Sequence, residues 1–523
     1  MLRVLLLIIA LHLEIFSYVQ INVKVDAFQP VALRVQSQSH RQSATISTTK
    51  LNTRKVNQLP LKATIQEDMP AGPATDRGDV FEAKEANDEI QRSSSALSMT
   101  LTELTHELHG KGKAQLSWDC FRIGIDPVHF YNPSFPEQEL DNALQNLSDQ
   151  NDFPSYACTR KQIQQHLPPK RVSQTMGNKA IKALSEYCYP SSLGIESSIA
   201  TLSQITRSQD GTTKLLLKLC NTDYFIETVI IPNPEWGKST LCVSSQVGCA
   251  QGCVFCATGK MGRLTSLTPD QILVQLYYAN KVCRVINSDA NANIIENENE
   301  ISNDGSNANS TPNQGLPPID NVVFMGMGDA ADNIPAVQKA VEVMTDRTCF
   351  ALAASKITIS TVGPSPDVFE KLAQADAVLA WSVHAVRDDL RKKLVPTTKH
   401  TMEELKDGVV RALIHRSKRL RTLMLEIALM DGLNDGVEEA EELGDFCLDL
   451  MSKVDGMKLM VNLIPFNDIG YEQYRRSSDA NIAAFQKTLV NKGVKTYVRT
   501  TRGDDESAAC GQLATKKRKK QKK

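Results

Sequence analysis

"LCVSSQVGCAQGCVFCATG" (residues 241–259) carries four of the chain's twelve cysteines within fifteen positions. From Cys249 onward the spacing is C-x3-C-x2-C, and Cys242 precedes Cys249 by seven residues. Three thiolates spaced this way can each bind one iron of a four-iron cluster, leaving the fourth iron open to a chelating ligand. Gly248 and Gly252 permit a tight loop around such a group, and Phe255 supplies an aromatic wall beside Cys256. Two other readings stand at this point. Zinc needs a fourth nearby ligand, and the extra thiol is seven residues away; plain core thiols are the blander choice. Cys120, Cys158, Cys188, Cys220, Cys283, Cys349 and Cys447 are isolated, too sparse for a disulfide framework, and read as reduced core residues.

From the cysteine stretch outward, short β-branched runs alternate with helical patterns. The runs are 240–246, 321–326, 356–361, 378–385, 422–430 and 458–466, with KTYVRT (495–500) as an added edge strand. Between them, 268–282, 334–344, 366–375, 402–414 and 437–451 have helical periodicity. Six strand–helix units in series predict parallel strands with right-handed crossovers. Periodicity alone fits a doubly wound sheet equally well. Gly328-Asp329, Ser360, Ser382, His384 and Asn467, however, all fall at or just beyond a strand's end, where an α/β barrel gathers its chemistry on one rim. The expected fold class is therefore α/β, a partial (βα)6 barrel spanning 239–514. Residues 99–238 are expected to form a small N-terminal α+β accessory domain that ends in a hairpin.

Total charge names no partner, with 59 basic against 60 acidic residues in 523. Its distribution says more, because seven of the last eight residues, KKRKKQKK, are positive, which suits an anionic partner or a solubilising tail (515–523). Residues 4–13 form a ten-residue apolar run behind Arg3, too short to span a bilayer comfortably and suited to a signal-peptide core. A stretch without Asp or Glu follows Val25-Asp26-Ala27 and lasts until Glu67. Residues 1–67 thus read as a two-part address that resembles the presequences of secondary plastids, with Phe28 opening the transit part. Mitochondrion is the competing destination, and no stable membrane association is expected. Residues 68–98 read as a linker, and the Asn-rich segment 287–315 as a disordered insertion.

The ordered motifs TLCVSSQVGCAQGCVFCATG, NVVFMGMGDA, ITISTVG, LAWSVHA, LVP, MDGLNDG, NLIPFN and VRTTRGDDESAACGQLA resemble the RlmN/Cfr family of radical S-adenosylmethionine RNA methyltransferases. The likeness covers roughly residues 205–514 and is greatest to the branch that methylates adenine C2 in ribosomal RNA and, in some bacteria, transfer RNA. It implies a radical-SAM barrel, a 4Fe-4S cluster on Cys249, Cys253 and Cys256, and S-adenosylmethionine consumed two per turnover. It further implies cofactor contacts at Gly328, Asp329, Ser360, Ser382, Val383, His384 and Asn467. Cys510 matches the cysteine that is methylated and then carries the methylene to RNA. Cys242 matches the cysteine that releases the adduct by forming a disulfide, and Glu227 the residue proposed as general base. A monomer and an electron donor such as ferredoxin or flavodoxin are also implied.

One motif departs from the family. Where Gly-Glu-Pro is usual, this chain has Gly328-Asp329-Ala330, a carboxylate one methylene shorter without proline's restriction of φ. That puts cofactor affinity in question and opens a second reading, a non-catalytic RNA- or ribosome-binding homologue. Methylation at adenine C8 is the alternative within the enzymes. Basic runs at 158–174 and 415–421, the latter with Arg416, Lys418, Arg419 and Arg421 behind His415, are candidate phosphate contacts.

Overall fold

The apolar runs assemble into one ten-stranded sheet. The computed structural model describes residues 95–140, 159–171, 173–187, 194–299, 315–470 and 473–514. The expected presequence, most of the linker, residues 300–314 of the insertion and the basic tail lie outside these residues. In chain order the strands are β1 (Ala200–Arg207), β2 (Thr213–Leu219), β3 (Phe225–Asn233), β4 (Lys238–Cys242), β5 (Gln246–Gly248), β6 (Arg263–Ser266), β7 (Ile319–Phe324), β8 (Ile357–Thr361), β9 (Val378–Ser382), β10 (Thr422–Leu429), β11 (Lys458–Pro465) and β12 (Thr496–Val498). The large sheet runs β1-β2-β3-β4-β7-β8-β9-β10-β11-β12, while β5 and β6 pair separately.

Two pairing regimes meet at β4. β1 to β4 are mutually antiparallel, and β4 then pairs in parallel with β7, beginning a series that stays parallel to β12. The burial patterns record the difference. β2 alternates buried and more exposed positions, whereas every residue of β8 is buried, because helices cover the outside of a parallel strand and the barrel interior covers its other face. The six parallel strands β4 and β7–β11, with β12 at the edge, match the expected barrel. The crossover helices that matter below are α1 (Ala257–Met261), α2 (Pro269–Asn299), α3 (Asp388–Leu394) and α4 (Met402–Ile414). α4 starts at a capping box in which Thr401 and Glu404 satisfy each other's backbone N–H groups.

Three features depart from the sequence reading. The run 240–246 is not one strand: β4 stops at Cys242, and Gln246–Gly248 turn away to pair with Arg263–Ser266. The insertion is not irregular throughout, since α2 continues through residues 287–299. At its root the Asn287 side chain donates to the Leu316 carbonyl (2.9 Å) and accepts from the Leu316 N–H (2.8 Å), joining the two ends of the excursion. Finally, the segment before residue 239 shares its sheet and its core with the barrel. Val229 of β3 faces Cys242 of β4 in register, and Trp118 packs edge-on against both Phe121 (5.4 Å) and Phe350 (5.3 Å). The described residues all fall within one compact unit.

A fragment beginning at residue 239 would expose the edge of β4 and the apolar face that the hairpin covers. It should therefore aggregate or melt non-cooperatively. Circular dichroism with size-exclusion chromatography checks this, and a soluble fragment with a cooperative transition would contradict it.

Candidate active site

The cysteine loop is shaped by a backbone that only glycine allows. Gly248 has φ +75°, and a Cβ there would fall 1.9 Å from the Gly262 carbonyl oxygen, which accepts the Cys249 N–H at 3.1 Å. The chain can thus leave β5, pass Gly252 at φ +60° and re-enter as α1 with Cys256 as its N-cap. Cys249 and Cys253 are buried and Cys256 is half-buried. The loop is braced from outside by Val254 N–H donating to Leu394 O (3.1 Å) and Thr397 Oγ1 donating to Gln251 O (2.9 Å).

Burial pushes the Cys249 thiol up to about 12, reinforced by Asp329 and Cys256. Cys253 is likewise pushed well up, by burial first and then by Cys256 and Cys249. Two buried thiols raised in this way are ionised only against concentrated positive charge, which bound iron provides. The donors fit a cluster better than a single ion. Among the described residues no three His, Cys, Asp or Glu side chains converge closely enough to hold one metal ion, as zinc with Zn–S of about 2.3 Å would require. A cluster instead takes each thiolate on a different iron. The Gln251 N–H donates to Cys249 Sγ at 3.5 Å, a contact suited to a ligating thiolate.

The loop opens onto a cleft at the C-terminal ends of the parallel strands, about 950 Å³ counting its open mouth. It is lined by the three cysteines and by Gly328, Asp329, Ser360, Ser382, His384, Asn467 and Cys510. Phe255 lines it too, 4.4 Å from the His384 ring. Ser360 and Ser382 Oγ atoms lie 3.3 Å apart. His384, at φ +60°, accepts the Ala428 N–H on Nδ1 (3.1 Å), so its Nε2 carries the proton of the neutral ring. Burial, helped by Arg391, pushes its pKa down to about 3 and keeps it neutral. Asn467 donates to the Cys510 carbonyl (3.0 Å) and accepts from Thr501 (3.1 Å), fixing the chain at Cys510.

Asp329 is turned inward. Its Oδ1 accepts from Thr361 Oγ1 (2.7 Å) and Ala331 N–H (2.9 Å), and its Oδ2 from Val362 N–H (2.8 Å). The shorter carboxylate that replaces the family's glutamate is thus engaged with the turn at Ala330–Asn333 and the end of β8. Burial raises it to about 6 in spite of these three bonds.

Val383, Cys242 and Glu227 do not line the cleft. Val383 is buried, its N–H bonded to Glu426 O at 3.1 Å. Cys242 packs against Ala508 and Leu513 of the C-terminal segment. Burial, together with neighbouring Cys510, pushes its thiol up to about 12, while Arg499 pulls the other way. Cys510 faces the cleft and is exposed there, yet protein surrounds it on its other sides, and this crowding raises it to about 11 against the pull of Arg499. Both thiols are free. Glu227 accepts the Ala514 N–H (2.9 Å) and pairs with Lys214 (3.6 Å). Burial raises its pKa, and Lys214 and Ala514 oppose that.

Two residues that the sequence reading passed over stand beside the thiols. Glu426 lines the cleft at 2 % exposure, accepts from Asn462 (2.9 Å) and pairs with Arg499 (3.5 Å). A lone carboxylate inside the apolar run TLMLEIALM was a usable signal; Arg499 carried none of its own. The basic runs, by contrast, are partly structural, while Lys161, Lys170, Lys418 and Arg419 stay exposed. Arg416 is buried and donates to Ala375 O (2.7 Å) and Ala377 O (2.6 Å), and Arg421 binds three further carbonyls. The run leads into β10 at the barrel end opposite the cleft. Arg160 is bonded to the carbonyls of Phe130, Asn132 and Phe135, and Arg171 to Gln115 and Gln174.

No protein-family model matches the chain. A curated relative, the dual-specificity RNA methyltransferase RlmN of Psychrobacter arcticus, is 36% identical over 313 residues, covering 58% of this chain and 70% of the relative. Among solved structures, a radical SAM methyltransferase from Sphaerobacter thermophilus aligns at 27% identity with a TM-score of 0.54, covering 80% of this chain and 99% of that one.

The raised Asp329 carboxyl makes the folded chain bind more protons than the unfolded chain between its ordinary value of 3.8 and about 6. Its contribution to stability is therefore greatest below that window and is lost as pH rises through it. In urea melts of metal-free protein, the stability of the wild-type chain relative to D329N should fall by up to roughly 3 kcal/mol between about pH 4 and about pH 7. A difference that does not change with pH would contradict this.

Proposed function

The chain belongs to the RlmN/Cfr family of radical S-adenosylmethionine RNA methyltransferases, and from that premise we propose that it methylates C2 of adenine in ribosomal RNA, by way of a methylated Cys510. The observation that carries the reading is the meeting of Cys510, the three loop cysteines and the strand-end polar residues in one cleft, with Cys242 directly behind. Cys249, Cys253 and Cys256 would hold the cluster, with Ser360, Ser382, His384 and Asn467 around the S-adenosylmethionine. When bound, the cluster supplies the electron that cleaves this cofactor to an adenosyl radical, and two cofactor molecules are used per turnover.

The remaining chemistry belongs to the chain's own thiols. Adenine C2 is electron-poor and does not attack a methyl sulfonium. A methyl group carried on Cys510 Sγ can lose a hydrogen atom, and the methylene radical can then add to the ring. The ring radical so formed must give up one electron and the C2 proton. Attack of the Cys242 thiolate on Cys510 Sγ then breaks the S–CH2 bond. The carbon keeps the electron pair and takes a proton to become the methyl group, and a disulfide between the two cysteines remains. That bond requires their Cα atoms to approach to about 5–6 Å. Glu227 is raised by burial, as suits a proton acceptor, but it reaches the adduct only if its bond to Ala514 opens. An external one-electron donor of the ferredoxin or flavodoxin type supplies the electron for cofactor cleavage, and a dithiol reductant returns the disulfide to two thiols with two electrons and two protons. The presequence supports a plastid RNA as the substrate; transfer RNA is a further substrate of the same chemistry. No helix among the described residues is long and apolar enough to cross a membrane.

The test is anaerobic incubation of the cluster-loaded protein with S-adenosylmethionine, a reductant and plastid ribosomal RNA, followed by nucleoside mass spectrometry. 2-Methyladenosine should form and be lost in C510A, while C242A should accumulate a covalent protein–RNA adduct visible on a denaturing gel. 8-Methyladenosine would overturn the C2 assignment. Tight RNA binding without any methylated adenine would favour the non-catalytic homologue.

A further inference from the structure

Arg391 on α3 is 1 % exposed, yet none of its hydrogen bonds goes to a carboxylate. Its Nη1 donates to the carbonyls of Ser382 (3.1 Å) and Val383, and its Nη2 to that of Val362. Its Nε has no hydrogen-bond partner among the described residues, and no ion pair to it is found there. Its guanidinium carbon also lies over the Trp381 ring, 5.9 Å from the centroid, but a buried guanidinium held by carbonyl dipoles and a ring face, with no carboxylate bonded to it, is costly. Burial lowers its pKa to about 10, and the groups that oppose this are Cys253 first, then Asp388 and Asp329.

The geometry places this charge against the cysteine loop. α3 ends at Leu394, whose carbonyl accepts the Val254 N–H (3.1 Å), and Leu390 and Leu394 pack in one apolar cluster with Cys253. Val362 links the two sides of the site, its N–H bonded to Asp329 and its carbonyl to Arg391. The carboxylates that bear on the cysteines are Asp329, and Asp332, which is held by Gln251 (2.9 Å). A cluster on three thiolates is itself an anion, and one electron from an external donor makes it more negative by one charge. A fixed cation nearby stabilises the reduced form more than the oxidised form.

We propose that Arg391 is the counter-charge of the cluster, a positioning residue that makes the cluster easier to reduce while clamping the carbonyl ends of β8 and β9. This rests on the assignment of the cluster to Cys249, Cys253 and Cys256, but not on any particular RNA product.

The test is the midpoint potential of the reconstituted cluster, read by potential-poised electron paramagnetic resonance without RNA, in the wild-type chain, R391K and R391M. The cluster in R391M should be reduced only at a more negative potential. R391K, which keeps the charge and loses the bidentate clamp, should stay close to the wild-type value. An unchanged potential in R391M, or an equal shift in R391K and R391M, would overturn the inference and leave Arg391 a purely structural clamp. Should R391M not fold, R391Q takes its place with the same reading: a negative shift beside a wild-type potential in R391K supports the counter-charge, and an unchanged potential, or an equal shift in R391K, overturns it. A wild-type chain that takes up no cluster would overturn the cluster assignment, and this inference with it.

Discussion

Everything in the cleft depends on how the C-terminal segment is sewn to elements far earlier in the chain. Thr258 Oγ1 donates to Leu513 O across 255 residues, and Ala514 N–H donates to Glu227 across 287. Ala257 N–H reaches Gly511 O at 2.8 Å, and Lys214 reaches the carbonyls of Glu506 and Ser507. The turn after β1 adds Ser208 and Gln209 to Asp505, and Asp210 to the Gly503 N–H. These bonds hold Cys510 over the cysteine loop. Most are single polar contacts of modest individual worth, so the placement is cooperative: the hairpin, the loop and the last strand must all be formed first. The shared sheet explains why the segment before residue 239 cannot be a detachable module, since its turn is half of the clasp.

What was legible in the sequence follows from how many neighbours each signal needed. The parallel strands could be read because both faces of each are covered, leaving uninterrupted apolar runs, and the cysteine loop because its ligands are local. β5 could not be read as a separate strand. It is three residues long and continues the polar–apolar texture of β4, with no Gly or Pro between Cys242 and Gln246 to mark the turn away. In the basic run at 415–421, local composition did not say that Arg416 and Arg421 would be taken up by backbone carbonyls, nor which end of the barrel the run occupies. Glu426 and Arg499 become a pair only through the register of β10, β11 and the chain after β12, which no single stretch reveals. Whole-motif resemblance supplied the site residues that composition could not. It did not foresee that Glu227 would be tied to Ala514.

Asp329 shows how a shortened side chain is reused. With one methylene fewer, the carboxylate can cap the turn at Ala330–Asn333 through the Ala331 N–H while holding Thr361 and Val362. The loop gains through these bonds the rigidity that proline would have given through its ring. It also transmits its position through Val362 to Arg391, so the cofactor-side and cluster-side walls are one hydrogen-bonded piece.

The reciprocal bond between Asn287 and Leu316 has a consequence for how the gene can vary. It closes the excursion at its base, on the barrel end away from the cleft, so the chain between those two residues begins and ends at fixed points. Lengthening a closed loop costs only about 0.6 kcal/mol per doubling. The segment is thus a port: residues can be added, removed or exchanged for a foreign domain there with little penalty to the catalytic end of the barrel.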